Sequence, residues 1–208
     1  MGGRIVIDLF MTLDGVAQGP GGIGEDPSGG FEFSGWQAGY PSSGVGPQVQ
    51  QGMQRLDALL LGRRTYDIFA GYWPNHTDGP SGEIGRLFDR VPKYVASRDA
   101  DIALDWQHSS RIGGDLAAEI AELRARHDEV HVIGSVDFAH SLIAGGLFDE
   151  LNLWAYPILL GPGKKVFDDG AMPSVLRLIE PPVADDAGVM LLRYARTDQV
   201  PQVDTFED

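Results

Sequence analysis

The sequence of 208 residues contains no cysteine. This absence excludes disulfide bonds, thiolate catalysis and zinc sites built on cysteine. Histidine is scarce as well, with five residues in the chain. His127 and His131 stand four apart, but a helix-to-strand turn is predicted between them, so their side chains should not share a face. We therefore predict no metal site.

Positive charge is also in short supply. The chain has 16 Lys and Arg residues against 30 Asp and Glu residues, for a formal net charge of -14. Nucleic acids and anionic membrane surfaces bind to basic faces, so we expect neither as a partner. A small phosphorylated ligand needs only a local cationic cluster, and the net charge does not exclude it.

Long apolar runs are missing too. No stretch reaches the roughly 18 apolar residues that a membrane-spanning helix requires. Asp8 interrupts the first apolar segment, so the N-terminal residues lack the pattern of a signal peptide. We therefore expect a cytoplasmic protein.

The composition itself is typical of a soluble globular protein, with 43% hydrophobic and 22% charged residues. Strand and helix patterns alternate through most of the chain, which predicts a three-layer α/β/α sandwich with a mostly parallel sheet. Two late apolar segments, 176–179 and 189–194, predict antiparallel strands at the C-terminal end. We assign residues 1–197 to a single domain and residues 198–208 to an acidic tail.

Apolar periodicity locates the other elements. A first strand, central in the sheet, is predicted over residues 4–12. Further strands are predicted over 58–61, 92–96, 130–133 and 151–160. Helices are predicted over 47–56, 65–71, 81–89 and 136–144, and another begins after Asp115, which is a plausible N-cap.

Three strand ends share one character. The segments 59–66, 95–98 and 130–135 each run from an apolar strand into small, polar or cationic residues. In an open α/β sheet, ligands bind just outside the carboxyl ends of the strands. Arginines, serines and free backbone N–H groups at three such ends predict one phosphate-rich ligand held at several points. This pattern indicates a nucleotide cofactor.

Each strand end has its own chemistry and its own structural alternative. Residues 133–138 form a strand, a small-residue turn and a helix N-terminus, which favours phosphate binding, although neither G-x-G-x-x-G nor a Walker motif is present. In the turn 62–65, Arg63 and Arg64 could bind a phosphate. The structural alternative is that Thr65 only caps the next helix. Arg98 suits the 2′-phosphate that distinguishes NADPH from NADH.

The segment 15–46 is rich in glycine but also contains Phe31, Phe33, Trp36 and Tyr40. Disordered segments are poor in aromatic residues, so we predict an ordered loop that packs over a pocket. Asp14 lies just before it, at the end of the first strand. Asp14 is either a proton donor for the site or, together with Gly15, simply a turn.

The order and spacing of these motifs carry a family resemblance. They include Thr12-Leu13-Asp14-Gly15, Leu61-Gly62-Arg63-Arg64-Thr65-Tyr66, Ser97-Arg98, Gly113-Gly114-Asp115-Leu116, Ile133-Gly134-Ser135, and the run from Leu147 to Gly163. The chain resembles the dihydrofolate reductase-like superfamily from about residue 4 to residue 196. The branch it resembles is the C-terminal reductase domain of the bifunctional riboflavin-biosynthesis deaminase/reductase. The resemblance implies that fold and NADPH-dependent hydride transfer.

The resemblance also implies roles for particular residues. The residues implied to bind the cofactor are Gly62, Arg63, Arg64, Thr65, Ser97, Arg98, Gly134, Ser135, Val136 and Asp137. Ser135 departs from dihydrofolate reductases, which have a second glycine there. Phe69 and Trp73 face the substrate by family position, and Trp36 or Tyr40 would stack on it from the loop, unless these aromatic residues are core. Asp14 is the candidate catalytic acid.

The resemblance offers 5-amino-6-(5-phosphoribosylamino)uracil reductase as the functional template, acting on a small heterocyclic or carbonyl substrate. The phosphate of such a substrate would call for further cations, for which Lys164 and Lys165 are candidates unless they are solvated. The alternatives are a non-catalytic nucleotide-binding module and a dihydrofolate reductase, although no pocket carboxylate matches the latter. A homodimer is expected from this branch.

Overall fold

The computed structural model describes residues 2–40, 46–79, 82–168 and 172–205. Within these ranges, the strands are β1 (Arg4–Thr12), β2 (Ala58–Gly62), β3 (Lys93–Ala96), β4 (Ser109–Ile112), β5 (Glu129–Ile133), β6 (Glu150–Tyr156), β7 (Leu176–Leu178), β8 (Val183–Ala184) and β9 (Met190–Arg196). The helices are α1 (Gly46–Met53), α2 (Arg63–Tyr72), α3 (Gly82–Arg90), α4 (Leu116–Arg126) and α5 (Val136–Ala144).

One mixed sheet contains all of these strands. Its order is β4-β3-β2-β5-β1-β6-β9-β7, with β8 also paired to β9. The pairs from β4 to β6 are parallel, and the pairs that involve β9 are antiparallel. This arrangement confirms the predicted mostly parallel sheet with antiparallel C-terminal strands, and it places β1 at the centre.

Alternation along β1 explains why both faces of the sheet are covered. Ile5, Ile7 and Leu9 are fully buried in a cluster with residues of α4 and α5. On β2, Leu59 and Leu61 belong to a second cluster that includes residues of α2 and α3. Successive side chains of a strand point to opposite faces, so the sheet is the middle of three layers. None of the described helices is long and apolar enough to cross a membrane.

Some predicted boundaries were wrong, for physical reasons. β6 ends at Tyr156 rather than at residue 160, because Pro157 follows it. The chain then turns, and the Ile158 carbonyl accepts a hydrogen bond from the Leu13 N–H just after β1. β4 was not predicted, since its sequence SSRI is mostly polar and it forms the edge of the sheet. Helix α2 begins at Arg63, so Thr65 lies within its first turn and is not its cap.

A buried polar network joins the central strands. The His131 ring lies 2.6 Å from Asp8 Oδ2 through Nδ1 and 3.0 Å from Glu129 Oε1 through Nε2. Asn152 Nδ2 donates to Asp8 Oδ1 at 2.9 Å, and Arg4 forms an ion pair with Glu129. Buried charges are stable only when they are paired, so His131 must carry its proton between the two carboxylates.

The ionisation of this network follows from those contacts. Burial opposes the charged form of His131, but the charge of Asp8 and hydrogen bonds to Asp8 and Glu129 outweigh it and raise the pKa of His131 to about 9. Burial likewise opposes the charged form of Glu129, but His131, Arg4 and Arg55 lower the pKa of Glu129 to about 2. Both groups are therefore charged at neutral pH.

These two shifts predict how stability depends on pH. The contribution of His131 is complete below its unfolded pKa of 6.5 and is lost as the pH rises through about 9. The contribution of Glu129 is complete above its unfolded pKa of 4.5 and is lost as the pH falls through about 2. We expect the free energy of unfolding, measured by urea titration, to be highest between these windows. Equal free energies of unfolding at pH 6.5 and at about pH 9 would contradict the assignment of a charged His131.

Candidate active site

The three predicted strand ends meet in one cleft of about 1370 Å³. It opens at the carboxyl ends of β2, β3 and β5, and residues at the ends of β1 and β6 complete its wall. Every residue implied to bind the cofactor contributes to the wall. These residues are Gly62, Arg63, Arg64, Thr65, Ser97, Arg98, Gly134, Ser135, Val136 and Asp137.

Two helix N-termini lie side by side in this part of the cleft, because α2 and α5 follow the neighbouring parallel strands β2 and β5. Neither Gly62, before α2, nor Ser135, before α5, makes a side-chain cap. The Ser135 hydroxyl instead accepts a hydrogen bond from the Gly62 N–H at 3.0 Å, which ties the two turns together. By contrast, Asp115 caps α4, as predicted, through the Ala118 N–H at 2.9 Å. Uncapped first-turn N–H groups with a positive dipole end bind anions.

Two glycines are required by the geometry of the cleft wall. Gly134 has φ +74, a left-handed conformation that favours glycine, and a Cβ there would lie 3.4 Å from Thr65 Cγ2. A Cβ on Gly113 would lie 2.6 Å from the Ser97 carbonyl oxygen. The backbone therefore approaches closely at the strand ends, and this keeps the wall free of side chains at both points.

The three arginines of the cleft have different partners. Arg63 Nε donates to both carboxylate oxygens of Asp67, at 2.8 and 2.9 Å, and Arg64 Nη1 lies 3.3 Å from Asp26 Oδ1. Arg98 is exposed and has no ion-pair partner within the described ranges. Arg98 is thus the cation most available to an incoming anion.

The segment after β1 forms the opposite wall of the cleft. Residues 17–26 of the predicted loop line it, while residues 41–45 lie outside the described ranges. Lys164 Nζ lies 2.6 Å from Asp137 Oδ2 and 3.7 Å from Asp26 Oδ2, so an ion cluster joins this segment to α5. Burial opposes ionisation of Asp26, but hydrogen bonds from Ser28 and the charges of Lys164 and Arg64 lower its pKa.

Asp14 lies outside the residues that line the cleft. Its carboxylate accepts hydrogen bonds from Thr12 Oγ1 at 2.6 Å, Leu160 N at 3.2 Å and Gly161 N at 2.7 Å. The hydrogen bond from Thr12 is the largest cause that lowers the pKa of Asp14; burial opposes it, and the backbone groups of Gly161 and Leu160 lower the pKa further. This carboxylate is ionised and holds the turn at residues 157–161, which supports the structural alternative for Asp14.

The four aromatic candidates divide into two pairs. Phe69 and Trp73 line the cleft and also pack against Phe88 of the core. Trp36 and Tyr40 are not among the lining residues. They contact Tyr156 edge-on, with ring centroids 5.3 and 5.4 Å away. Trp36 and Tyr40 therefore pack against the ring of Tyr156, and it is Tyr156 that lines the cleft.

Sequence reasoning missed that ring and its partner. Tyr156 ends β6 and lines the cleft, and Gln37 Nε2 donates to its hydroxyl oxygen at 2.6 Å. Burial raises the pKa of Tyr156 to about 12, against a smaller opposite effect of Gln37, so the hydroxyl keeps its proton at neutral pH. Ligands bind just outside the carboxyl ends of the strands. A predicted strand that ended before Pro157, instead of at residue 160, would have marked Tyr156 as a site residue.

Comparison with known proteins identifies the family. The model of the RibD C-terminal domain family matches residues 4–189, and the chain therefore belongs to the RibD C-terminal domain family. This confirms the resemblance inferred from the motifs. The uncharacterized protein YyaP of Bacillus subtilis (strain 168) is 28% identical over 178 residues, covering 85% of this chain and 86% of that protein.

Solved structures confirm the dihydrofolate reductase-like fold. A candidate riboflavin biosynthesis protein from Shewanella sp. PV-4 has a TM-score of 0.71 at 21% identity, covering 93% of this chain and 99% of that one. Dihydrofolate reductase from Enterococcus faecalis, complexed with NADP(H) and RAB-propyl, has a TM-score of 0.58 at 16% identity, covering 95% of this chain and 99% of that one.

A bifunctional enzyme also matches. The diaminohydroxyphosphoribosylaminopyrimidine deaminase/5-amino-6-(5-phosphoribosylamino)uracil reductase of Thermotoga maritima has a TM-score of 0.60 at 16% identity, with 94% of this chain covered but 57% of that one. This chain therefore corresponds in fold to part of that protein. It has a RibD-like reductase fold.

Proposed function

We propose that this protein is an NADPH-dependent reductase of a small heterocyclic or carbonyl substrate. The observation that carries the proposal is the convergence on one cleft of two helix N-termini without side-chain caps and of Arg98, which has no ion-pair partner among the described residues. Such an arrangement suits a ligand with several phosphate groups. The family membership and the fold of the NADP(H)-complexed relative support the same choice of cofactor.

The residues of the cleft fit this cofactor. The first-turn N–H groups of α2 and α5, with Arg63 and Arg64 beside them, would hold the diphosphate. Ser97 and Arg98 would hold the 2′-phosphate, where Gly113 leaves room for it. The bound cofactor supplies hydride to the substrate. Closing such a ligand into a cleft also excludes water from the reacting atoms.

Tyr156 is the group we propose for the proton side of the reaction. Its hydroxyl is protonated at neutral pH, and the hydrogen bond from Gln37 occupies an oxygen lone pair and leaves the O–H free to donate. A donor at that position stabilises negative charge as it develops on a reduced C=N or C=O group. Asp14, ionised and turned to the backbone, is not suited to this role.

The second candidate function is a non-catalytic nucleotide-binding module on the same fold. It would share the phosphate-binding turns but would not reduce a substrate. We also propose a single domain over residues 1–197 and retain a cytoplasmic homodimer as a prediction from the branch that the sequence resembles.

Deuterium transfer separates these two functions. The protein is incubated with NADPH deuterated at nicotinamide C4 and with a panel of cyclic C=N and C=O compounds, and products are examined by mass spectrometry. We expect deuterium in at least one product, with much less product from Tyr156→Phe. Cofactor binding without transfer to any compound would favour the non-catalytic module.

Ser135→Ala is expected to weaken NADPH binding by about two- to tenfold. The change removes the hydrogen bond that ties the two phosphate-binding turns together, and one such bond contributes about 0.5–1.5 kcal/mol. Calorimetric titration with NADPH measures the effect. Ser110→Ala, an exposed serine on the edge strand β4, is the matched control, and equal affinities for the two variants would contradict the proposed role.

A further inference from the structure

Beyond the helix N-termini, the cleft has a second part, which we call the substrate lobe. It is lined by Val49 and Met53 of α1, Ile68 and Tyr72 of α2, Ile84 of α3, and Tyr156. Tyr72 lies nine residues after Arg63 on the same helix, or about 13 Å along its axis. The lobe is therefore well separated from the turns that would bind the cofactor phosphates.

The polar groups of the substrate lobe are neutral or acidic. Gln37 and Gln50 are amides, and Gln50 Nε2 donates to the carboxylate of Glu83, which also lines the lobe. No lysine or arginine is among the lining residues that α1, α3 and the second half of α2 contribute in the described ranges. The residues outside those ranges contain no lysine or arginine either.

The cations of the remaining cleft are already engaged or distant. Carboxylates hold Arg63, Arg64 and Lys164, and Arg98 lies at the end of β3, across β2 and β5 from β1. Lys165 is not a lining residue, and its carbonyl accepts a hydrogen bond from His140. A phosphate in the substrate lobe would lie near the exposed carboxylate of Glu83 without a free cation beside it among the described residues, which is unfavourable.

Building on the proposed reductase function, we infer that the substrate is a flat, unphosphorylated ring compound, recognised by aromatic contacts and neutral hydrogen bonds. The rings of Tyr72 and Tyr156 and the apolar side chains around them suit a planar ligand, and the Gln37–Tyr156 pair supplies its polar contact. In the reaction, hydride adds to the carbon of a ring C=N or C=O bond, the Tyr156 hydroxyl gives a proton to the heteroatom, water reprotonates Tyr156, and NADP⁺ is released.

Matched ligand pairs test this inference. Three pairs differ only in a phosphate: 5-amino-6-(5-phosphoribosylamino)uracil and its dephosphorylated form, UMP and uridine, and FMN and riboflavin. Binding is measured by calorimetry with and without saturating NADP⁺. In the pairs that bind, we expect the unphosphorylated member to bind at least about tenfold more tightly, because the phosphate is unpaired beside Glu83.

Equal or tighter binding of the phosphorylated members would overturn the inference. It would also be overturned if none of the three pairs bound. Because binding is also measured without cofactor, a failure of NADP⁺ to bind would count against the proposed function alone, and the preference between the two members of each pair would still be measured.

A charge-insertion variant locates the effect. Gln50→Lys places a cation beside Glu83 and so cancels the negative charge of the lobe, which should shift the affinity ratio by about fivefold toward the phosphorylated member. Gln54→Lys, an exposed change just beyond α1 and outside the cleft wall, adds the same charge and should leave the ratio unchanged. An unchanged ratio in Gln50→Lys would contradict the placement of the substrate in this lobe.

Discussion

Replacing His131 with asparagine is expected to lower the free energy of unfolding by about 3–5 kcal/mol. His131 is only 2% exposed and is the cation between Asp8 and Glu129. Without it, Glu129 still pairs with Arg4 and Arg55, but the buried Asp8 loses its ionic partner. Removing one partner of a buried ion pair leaves an uncompensated charge. Urea denaturation at neutral pH measures the loss.

The matched control is His108→Asn. His108 is exposed and has φ 59, a left-handed conformation that asparagine tolerates well. We expect a change within about 0.5 kcal/mol for this variant. If His131→Asn were as mild as the control, the network would not be a charged one, and the predicted loss of stability on the alkaline side would also be absent.

Arg98→Ala is expected to weaken NADPH binding by about ten- to hundredfold and to leave NADH binding unchanged. Hydrogen bonds to a charged group contribute about 1.5–3 kcal/mol, and Arg98 is the cleft arginine without an ion-pair partner in the described ranges. Because NADH lacks the 2′-phosphate, it serves as an internal reference. Calorimetric titration of the variant with both nucleotides measures the effect.

Arg126→Ala controls for the loss of one positive charge. Arg126 is exposed at the end of α4 and pairs with Glu122 four residues earlier, away from the cleft wall. We expect its nucleotide affinities to match those of the wild type. A parallel loss of NADPH and NADH affinity in Arg98→Ala would mean that Arg98 acts on a part common to both nucleotides.

The parts of the fold that sequence predicted best are those specified locally. A β-rich apolar run that ends in Gly62 or Gly134 defines both the strand and its turn, and Asp115 marks the start of α4 through its own hydrogen bond. Because parallel strands end at the same edge of a sheet, these local signals also placed the residues implied to bind the cofactor around one cleft.

The parts that sequence did not predict depend on contacts distant in the chain. The environment of Asp14 is set by backbone groups of residues 160 and 161, and that of Tyr156 by Gln37 from the glycine-rich segment. Strand β4 is polar and owes its form to pairing with β3. No spacing within the sequence reports such partners, so the contacts of Asp14 and Tyr156 became visible only in the folded chain.

The acidic character of the chain and its cleft chemistry are compatible. The net charge of -14 describes the whole surface, whereas the field at the strand ends is set by two helix N-termini and the adjacent arginines. Carboxylates hold Arg63 and Arg64, whereas Arg98 has no ion-pair partner in the described part of the chain, so an anionic group beyond the end of β3 would meet an available cation.

Calorimetric titration of the purified protein with NADPH and, separately, with NADH tests the proposed cofactor site most directly. We expect saturable binding of NADPH at one site per chain, at least about tenfold tighter than NADH, since a hydrogen bond to the charged 2′-phosphate contributes at least that factor. Equal affinities, or no binding of either nucleotide, would contradict the proposed cofactor site.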